Sequence, residues 1–104
     1  MKLSIIIVNY NVTRLLRNCL NSIQQYISNV DYEVIVMDNL SPDSSWKVLI
    51  DEFPMVKFIE NTSNEGFAKA NNKAAKLATG EYILLLNPDT EFEEDIMKEI
   101  LDFA

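Results

Sequence analysis

The sequence has no histidine, a single cysteine and only two glycines among its 104 residues. Without imidazole there is no Ser-His-Asp triad, no histidine general base and no His-containing zinc site of the usual kind. With Cys19 alone, no internal disulfide can form, and a reducing cytoplasm is the simplest compartment. The glycines stand at 66 and 80, so the turn after the first strand-like run, Asn9-Tyr10-Asn11-Val12, carries none. That excludes the glycine-rich Rossmann fingerprint, and no Gly-rich turn leads into a Lys-Ser or Lys-Thr pair as a P-loop requires. Basic residues are scarce as well, nine against sixteen acidic ones, for a net charge of −7. Such a surface repels phosphate backbones, and nucleic acid is not an expected partner. The apolar opening run, Leu3 to Val8, is too short to cross a bilayer and lacks a signal peptide's cleavage region. Chemistry must therefore run on carboxylates, amides and hydroxyls.

What is present is one compact domain's worth of chain, residues 1–104, with globular proportions of apolar and charged residues. Ser4 to Val8 is apolar and β-branched without alternation, as a strand buried on both faces of a parallel sheet should be. From Thr13 to Ser28, Leu16, Cys19, Leu20, Ile23 and Ile27 recur at helical spacing and predict an amphipathic helix with Cys19 in the core. Glu33 to Met37 reads as a second buried strand ending in a turn-rich run from Asp38 to Ser45. A short helix stopped by Pro54 follows, then a strand from Val56 to Glu60, a polar loop to Glu65 and an Ala-rich helix from Gly66 to Thr79, closed by Gly80. Tyr82 to Leu86 is the fourth strand, and Thr90 with Glu93 makes a capping-box pattern for a last helix bearing Ile96, Met97, Ile100 and Leu101. Trp46, Phe53 and Phe67 are expected in the core.

This alternation predicts an α/β fold, a three-layer α/β/α sandwich around a mainly parallel, Rossmann-like sheet. In such sheets ligands bind beyond the carboxyl ends of the strands, where the strand order reverses. If the fourth strand returns beside the first, the crevice lies between Asn9-Tyr10-Asn11 and Asn87-Pro88-Asp89, flanked by Asp38. With no phosphate cradle after the first strand, phosphate charge calls for a cation, which a carboxylate at the end of the fourth strand is placed to hold. Plainer roles fit several of these residues: Asp38 an Asx turn, Asp89 a helix N-cap, Asn64 and Gly66 a helix-entry turn.

The segments SIIIVNYN, VIVMDNLSPDSS, NEGFAKANN and GEYILLLNPDT, in that order, resemble family 2 inverting glycosyltransferases with the nucleotide-diphospho-sugar transferase (glycosyltransferase A) fold, closest to the rhamnosyltransferase-like branch. The resemblance covers essentially the whole chain and implies the following. Val8, Tyr10 and Asp38 bind the nucleoside, with Asp38 holding the base, and Asn64, Gly66 and Asn72 line the site. The family's Asp-x-Asp metal motif reads Asn87-Pro88-Asp89, with Asp89 as ligand to Mn²⁺ or Mg²⁺ and an amide in place of the first carboxylate. The donor is a UDP- or dTDP-linked hexose or deoxyhexose, rhamnose included, and the acceptor a glycan or lipid-linked sugar in polysaccharide biosynthesis at the cell envelope. The acceptor-binding half and the general base lie beyond Ala104, so the chain reads as a truncated donor-binding part, inactive alone, of a protein that sits in the cytoplasm or at the inner membrane face. Glu91, Glu93, Glu94 and Asp95 fit a helix's first turn and are not nominated as base.

Two further expectations follow from the residues. Without later strands, Tyr82 to Leu86 is an apolar edge that invites self-association. The alternative to an enzyme domain is a non-catalytic nucleotide- or protein-binding module. A receiver-type signalling domain is disfavoured because the first strand ends without an acidic pair.

Overall fold

A computed structural model describes residues 2–27 and 30–91. The strands are β1 (Lys2–Asn9), β2 (Asp31–Asp38), β3 (Lys57–Glu60) and β4 (Tyr82–Leu86). Between them lie α1 (Thr13–Tyr26), a 3-10 turn (Ser44–Lys47) running into α2 (Val48–Glu52), and α3 (Gly66–Leu77). The strands form one parallel sheet in the order β3-β2-β1-β4. The chain thus steps outward from β1 to β3 and then returns to lay β4 on the other side of β1, which puts the reversal between the tops of β1 and β4. The helix expected after Thr90 falls outside the described residues.

Every residue of β1 from Leu3 to Asn9 is buried, which explains its unbroken apolar run. Successive side chains leave a strand on opposite faces. Ile5 and Ile7, with Val34 and Val36 of β2, meet Leu16, Cys19, Leu20 and Ile23 of α1 and Leu49 of α2. Ile6 and Val8, with Ile35 and Met37, meet Ala70 and Ala74 of α3. The result is the expected three-layer α/β/α sandwich. Full burial of each of the large aliphatic side chains contributes about 1.5–3 kcal/mol. Phe53 joins the core on the α1 side, and Trp46 is buried as expected, stacked on Phe58.

The two helical layers are seated differently. The α1 layer grips the sheet through large side chains, whereas the only fully buried residues of α3 are two alanines, Ala70 and Ala74. Small side chains let α3 lie close to the sheet but give it a narrow apolar footing. Its exit is held by polar contacts instead. Glu33, buried near the start of β2, accepts hydrogen bonds from Ser4 Oγ (2.6 Å), from the Thr79 amide (2.6 Å) and hydroxyl (2.9 Å), and from Lys57 Nζ (3.1 Å). Gly80 then passes so near β1 that a Cβ there would lie 2.6 Å from Ser4 Oγ and 2.8 Å from the Ser4 amide nitrogen. Glycine is required at that position for close approach, while the helix itself ends earlier than expected, at Leu77 with Ala78 extended, rather than at Gly80.

On β4, Tyr82, Leu84 and Leu86 pack on the α1 side, while Ile83 and Leu85 on the other face are 49% and 55% exposed. Among the described residues no strand pairs with the outer edge of β4. No described helix is long and apolar enough to cross a membrane.

Burial would raise the Glu33 carboxyl, but its hydrogen bonds from Ser4, Thr79 and Lys57 outweigh that and hold it at about 2. A carboxylate depressed below its ordinary 4.5 stabilises the fold above that value, and the contribution is lost as pH falls toward about 2. Thermal melts across this window should show the melting temperature falling with pH. Glu33→Gln should make that limb shallower and, near neutral pH, cost about 2 kcal/mol, the scale of hydrogen bonds to a charged group. An unchanged acid limb in the variant would show that the Glu33 contacts do not contribute.

Candidate functional site

Above the strands, the polar residues are organised by the last residue of β2 and the one after it. Asp38 and Asn39 leave the strand on opposite sides, as successive strand residues must. Asp38, 1% exposed, faces the α1 side. Its Oδ1 accepts from Asn9 Nδ2 (3.0 Å) and Ser41 Oγ (2.6 Å), and its Oδ2 accepts from the Ser41 amide (2.9 Å). Ser41 Oγ also accepts from the Asn11 amide (2.8 Å), which ties the β1 turn to the β2 turn. Asn11 and Leu40, in the two turns, have φ of 55° and 60°. Asn tolerates that left-handed region, but for Leu it costs about 1 kcal/mol or more, a strain the Asp38 contacts sustain.

Asn39 faces the α3 side and is also buried. Its Oδ1 accepts from Asn61 Nδ2 (3.1 Å) and the Glu65 amide (3.1 Å), while its Nδ2 donates to Asn64 Oδ1 (2.9 Å). Asn64 Oδ1 accepts in addition from the Gly66 amide (3.0 Å), closing the entry to α3. Gly66 has φ 81°, with open space where a Cβ would be, so backbone conformation rather than crowding selects glycine.

Between the β1 turn and the end of β4 lies an open cleft of about 280 Å³, lined by Tyr10, Val12, Leu15, Phe67, Asn87, Pro88 and Asp89. It stands where the strand order reverses. At the low end of small-molecule site volumes, it suits part of an extended ligand. Its apolar walls are Tyr10, Val12, Leu15 and Phe67, and its polar floor is a turn closed by the Thr90 amide on the Asn87 carbonyl (3.0 Å).

The structure therefore brings together Tyr10, Asn87 and Asp89 of the residues singled out in the sequence. Val8 is near but fully packed against α3, so only its backbone is available. Asp38 is buried with both oxygens engaged, the geometry of the Asx-turn role. Asn64 and Gly66 build the helix entry, and Asn72 is exposed on α3 without lining the cleft. One expectation is corrected. Phe67, placed in the core on its helical pattern, is 57% exposed and forms a cleft wall, because it sits on the first turn of a helix whose footing begins at Ala70. Val12 and Leu15 were not foreseen as lining residues, and the only signal was their position after the first strand.

Among the described residues no group of three acidic or thiol side chains could hold a metal unaided. Cys19 is no nucleophile: burial first, then the carboxylates of Asp89 and Glu91, push its thiol up to about 12, so no thiolate forms near neutral pH.

Residues 4–104 match the family model described as Glycosyl transferase family 2. The poly(ribitol-phosphate) beta-glucosyltransferase of Bacillus spizizenii is 42% identical over 109 residues, an alignment covering 100% of this chain and 17% of the relative. The dolichol-phosphate mannosyltransferase of Pyrococcus furiosus is 28% identical over 105 residues, covering 98% of this chain and 30% of the relative. Among solved structures, S. aureus TarS 1–349 in complex with UDP-GlcNAc aligns with a TM-score of 0.85 at 27% identity, over 99% of this chain and 31% of that one. The chain spans less than a third of each of these proteins. Membership of the rhamnosyltransferase-like branch is not distinguished by these matches.

The two aspartates should respond differently to truncation. Asp38→Ala strands the buried Asn9 amide and releases the Ser41 turn, at a cost of about 1–3 kcal/mol. Asp89→Ala removes an exposed side chain and should leave the stability within about 0.5 kcal/mol of the parent. Thermal denaturation of both variants checks this, and equal losses would contradict the assigned contacts.

Proposed function

The chain belongs to glycosyl transferase family 2, and from that premise we propose that it binds the donor, a UDP-linked hexose, for transfer to a glycan or lipid-linked acceptor. The observation that carries this reading is the cleft itself, an aromatic-walled opening at the strand reversal with Asn87 and Asp89 on its floor. The Tyr10 ring stacks on the base with its hydroxyl in water, an arrangement suited to an amphipathic aromatic side chain. Asp38 acts mainly by holding the Asn9 and Ser41 turns that shape the base pocket. UDP is favoured over dTDP by the UDP-GlcNAc bound to TarS. A deoxyhexose such as rhamnose remains within the reading, because the base and diphosphate contacts do not select the sugar.

The donor atoms on the cleft floor fit a hard divalent cation only when the ligand completes the shell. Mg²⁺ and Mn²⁺ take oxygen donors, and Mg²⁺ is commonly held by one or two carboxylates together with substrate phosphates. Here the protein offers the Asp89 carboxylate and the Asn87 amide oxygen. When bound, the cation neutralises charge on the leaving diphosphate. Asp89 and Asn87 would orient the diphosphate, and the walls would keep water from the base. Transfer with inversion needs a base to take the acceptor hydroxyl's proton as that oxygen displaces the diphosphate at the anomeric carbon. Asp89, the carboxylate among the described cleft residues, is not assigned that role, and we propose that the chain alone binds donor without turnover.

We also propose that the open face and edge of β4, with Ile83 and Leu85, pair with a second copy. Sedimentation should then show a concentration-dependent dimer that Leu85→Lys abolishes; a strict monomer at high concentration refutes it.

Calorimetric titration with UDP and dTDP, each with and without Mn²⁺, tests the donor site. UDP binding should strengthen about tenfold or more with the cation, and Asp89→Ala should remove that gain while leaving metal-free binding in place. Folded protein that binds neither nucleotide would point to the non-catalytic module instead.

A further inference from the structure

α3 differs from the rest of the chain in charge. It carries three lysines and no acidic side chain, in a protein of net charge −7. Lys69, Lys73 and Lys76 recur at spacings of four and three, which puts them on one side of the helix, about a quarter turn from the alanines that seat it on the sheet. All three are exposed. Leu77, four residues after Lys73, prolongs the row and is 52% exposed. Ala68 and Asn72, on the outermost line of the helix, have short side chains, so the lysine stems stand above a low face. Among the described residues the only salt bridge into this row joins Glu65 to Lys73, which leaves Lys69 and Lys76 facing solvent.

We propose that this face of α3 docks on an anionic lipid surface, with the lysines meeting headgroup phosphates and Leu77 entering the interface between them. Charge complementarity selects the sign of the partner, and the low relief selects its shape. A protein partner is gripped by aromatic or apolar anchors fitted into pockets, which this face lacks, whereas a fluid headgroup layer needs only reach and charge. The acidic balance of the whole chain does not cancel the row, because at physiological ionic strength charges more than about 8 Å apart at the surface are largely screened. It orients the molecule instead, turning the lysines toward the lipid and the acidic remainder away. In a parallel crossover the helix runs back against its strands, so α3 starts at their carboxyl ends, where Phe67 forms a cleft wall, and the lysines follow. Docking along α3 then holds the cleft beside the surface in which an acceptor would be anchored, a consequence that rests on the reading of that acceptor as lipid-linked. The docking face itself uses no residue of the cleft floor or of β4.

The test is sedimentation of the whole chain with vesicles of equal parts phosphatidylglycerol and phosphatidylcholine, beside vesicles of phosphatidylcholine alone. Lys69→Gln combined with Lys76→Gln removes the two charges of the row that face solvent. Arg14→Gln combined with Lys47→Gln removes the same charge from elsewhere on the chain and serves as the control. Each lysine near an anionic surface contributes about fivefold to affinity, so the α3 pair should weaken binding to the mixed vesicles about twentyfold, and the control pair should stay within about twofold of the parent. Added salt should release the parent as the screening length shortens. Both pairs replace exposed side chains, and circular dichroism should show parental melting. Equal binding to the two kinds of vesicle, or an equal loss in the control pair, overturns the proposal. Inorganic polyphosphate, titrated into the parent without vesicles, probes a linear polyanion as the partner; binding to it through Lys69 and Lys76 with none to vesicles also overturns the lipid assignment. UDP enters none of these measurements, so failure of the donor site and failure of the docking face are told apart.

Discussion

The order above the sheet depends on two adjacent side chains that point opposite ways from the end of β2. Asp38 reaches down the α1 side and fastens the turn after β1, while Asn39 reaches down the α3 side and fastens the segment after β3. The backbone shares this arrangement: the Asn39 amide donates to the Asn9 carbonyl (2.9 Å) and the Asn61 amide to the Asp38 carbonyl (2.8 Å), extending the ladder one step beyond the regular strands. Three loops that would otherwise move independently are thereby tied at one point. The conformational entropy of ordering them is offset by burying nearly satisfied polar groups rather than by apolar contact.

The exception in that network is Asn9 Oδ1, which is buried without a hydrogen-bond partner among the described residues. Its amide nitrogen is committed to Asp38, and turning the group over would set two oxygens against each other. The interaction with Asp38 thus wins over full satisfaction of the amide. Holding a strained turn at Leu40 and an unpaired acceptor at Asn9 in the same small region marks the β1 and β2 ends as the part of the fold shaped for something other than stability.

The sheet was legible because its signals are periodic. Non-alternating β-branched runs marked β1 and β2 as doubly buried, whereas the strand order entered only as a condition, the fourth strand returning beside the first, which the sheet meets. The cleft was legible in part: Tyr10, Asn87 and Asp89 stand at strand ends, where the general rule for open sheets looks for them. The remainder was not legible for identifiable reasons. Phe67 has the spacing of a core residue, and only the shallow seat of α3 sends it outward. Asn39 and Asn61 occur in runs that read as turn chemistry, and pairing them requires knowing that β2 and β3 are neighbours. Glu33 looked like the first residue of a strand; its partners Ser4, Lys57 and Thr79 are far from it in sequence.

Electrostatics adds a constraint on how such a cleft can work. The described residues that line it include a carboxylate and no lysine or arginine, in a chain whose net charge is −7. A diphosphate brought there meets like charge, which weakens association unless positive charge arrives with it. Among the described residues no group of three acidic or thiol side chains could hold a divalent ion unaided, so under the proposed donor-site reading the ion and the diphosphate would each bind weakly without the other. Under that reading their affinities would be linked, each raising the other's by the same factor. The amide at position 87 would strengthen such linkage: a second carboxylate would hold more metal in the absence of nucleotide, whereas a neutral oxygen would leave the ligand to complete the site.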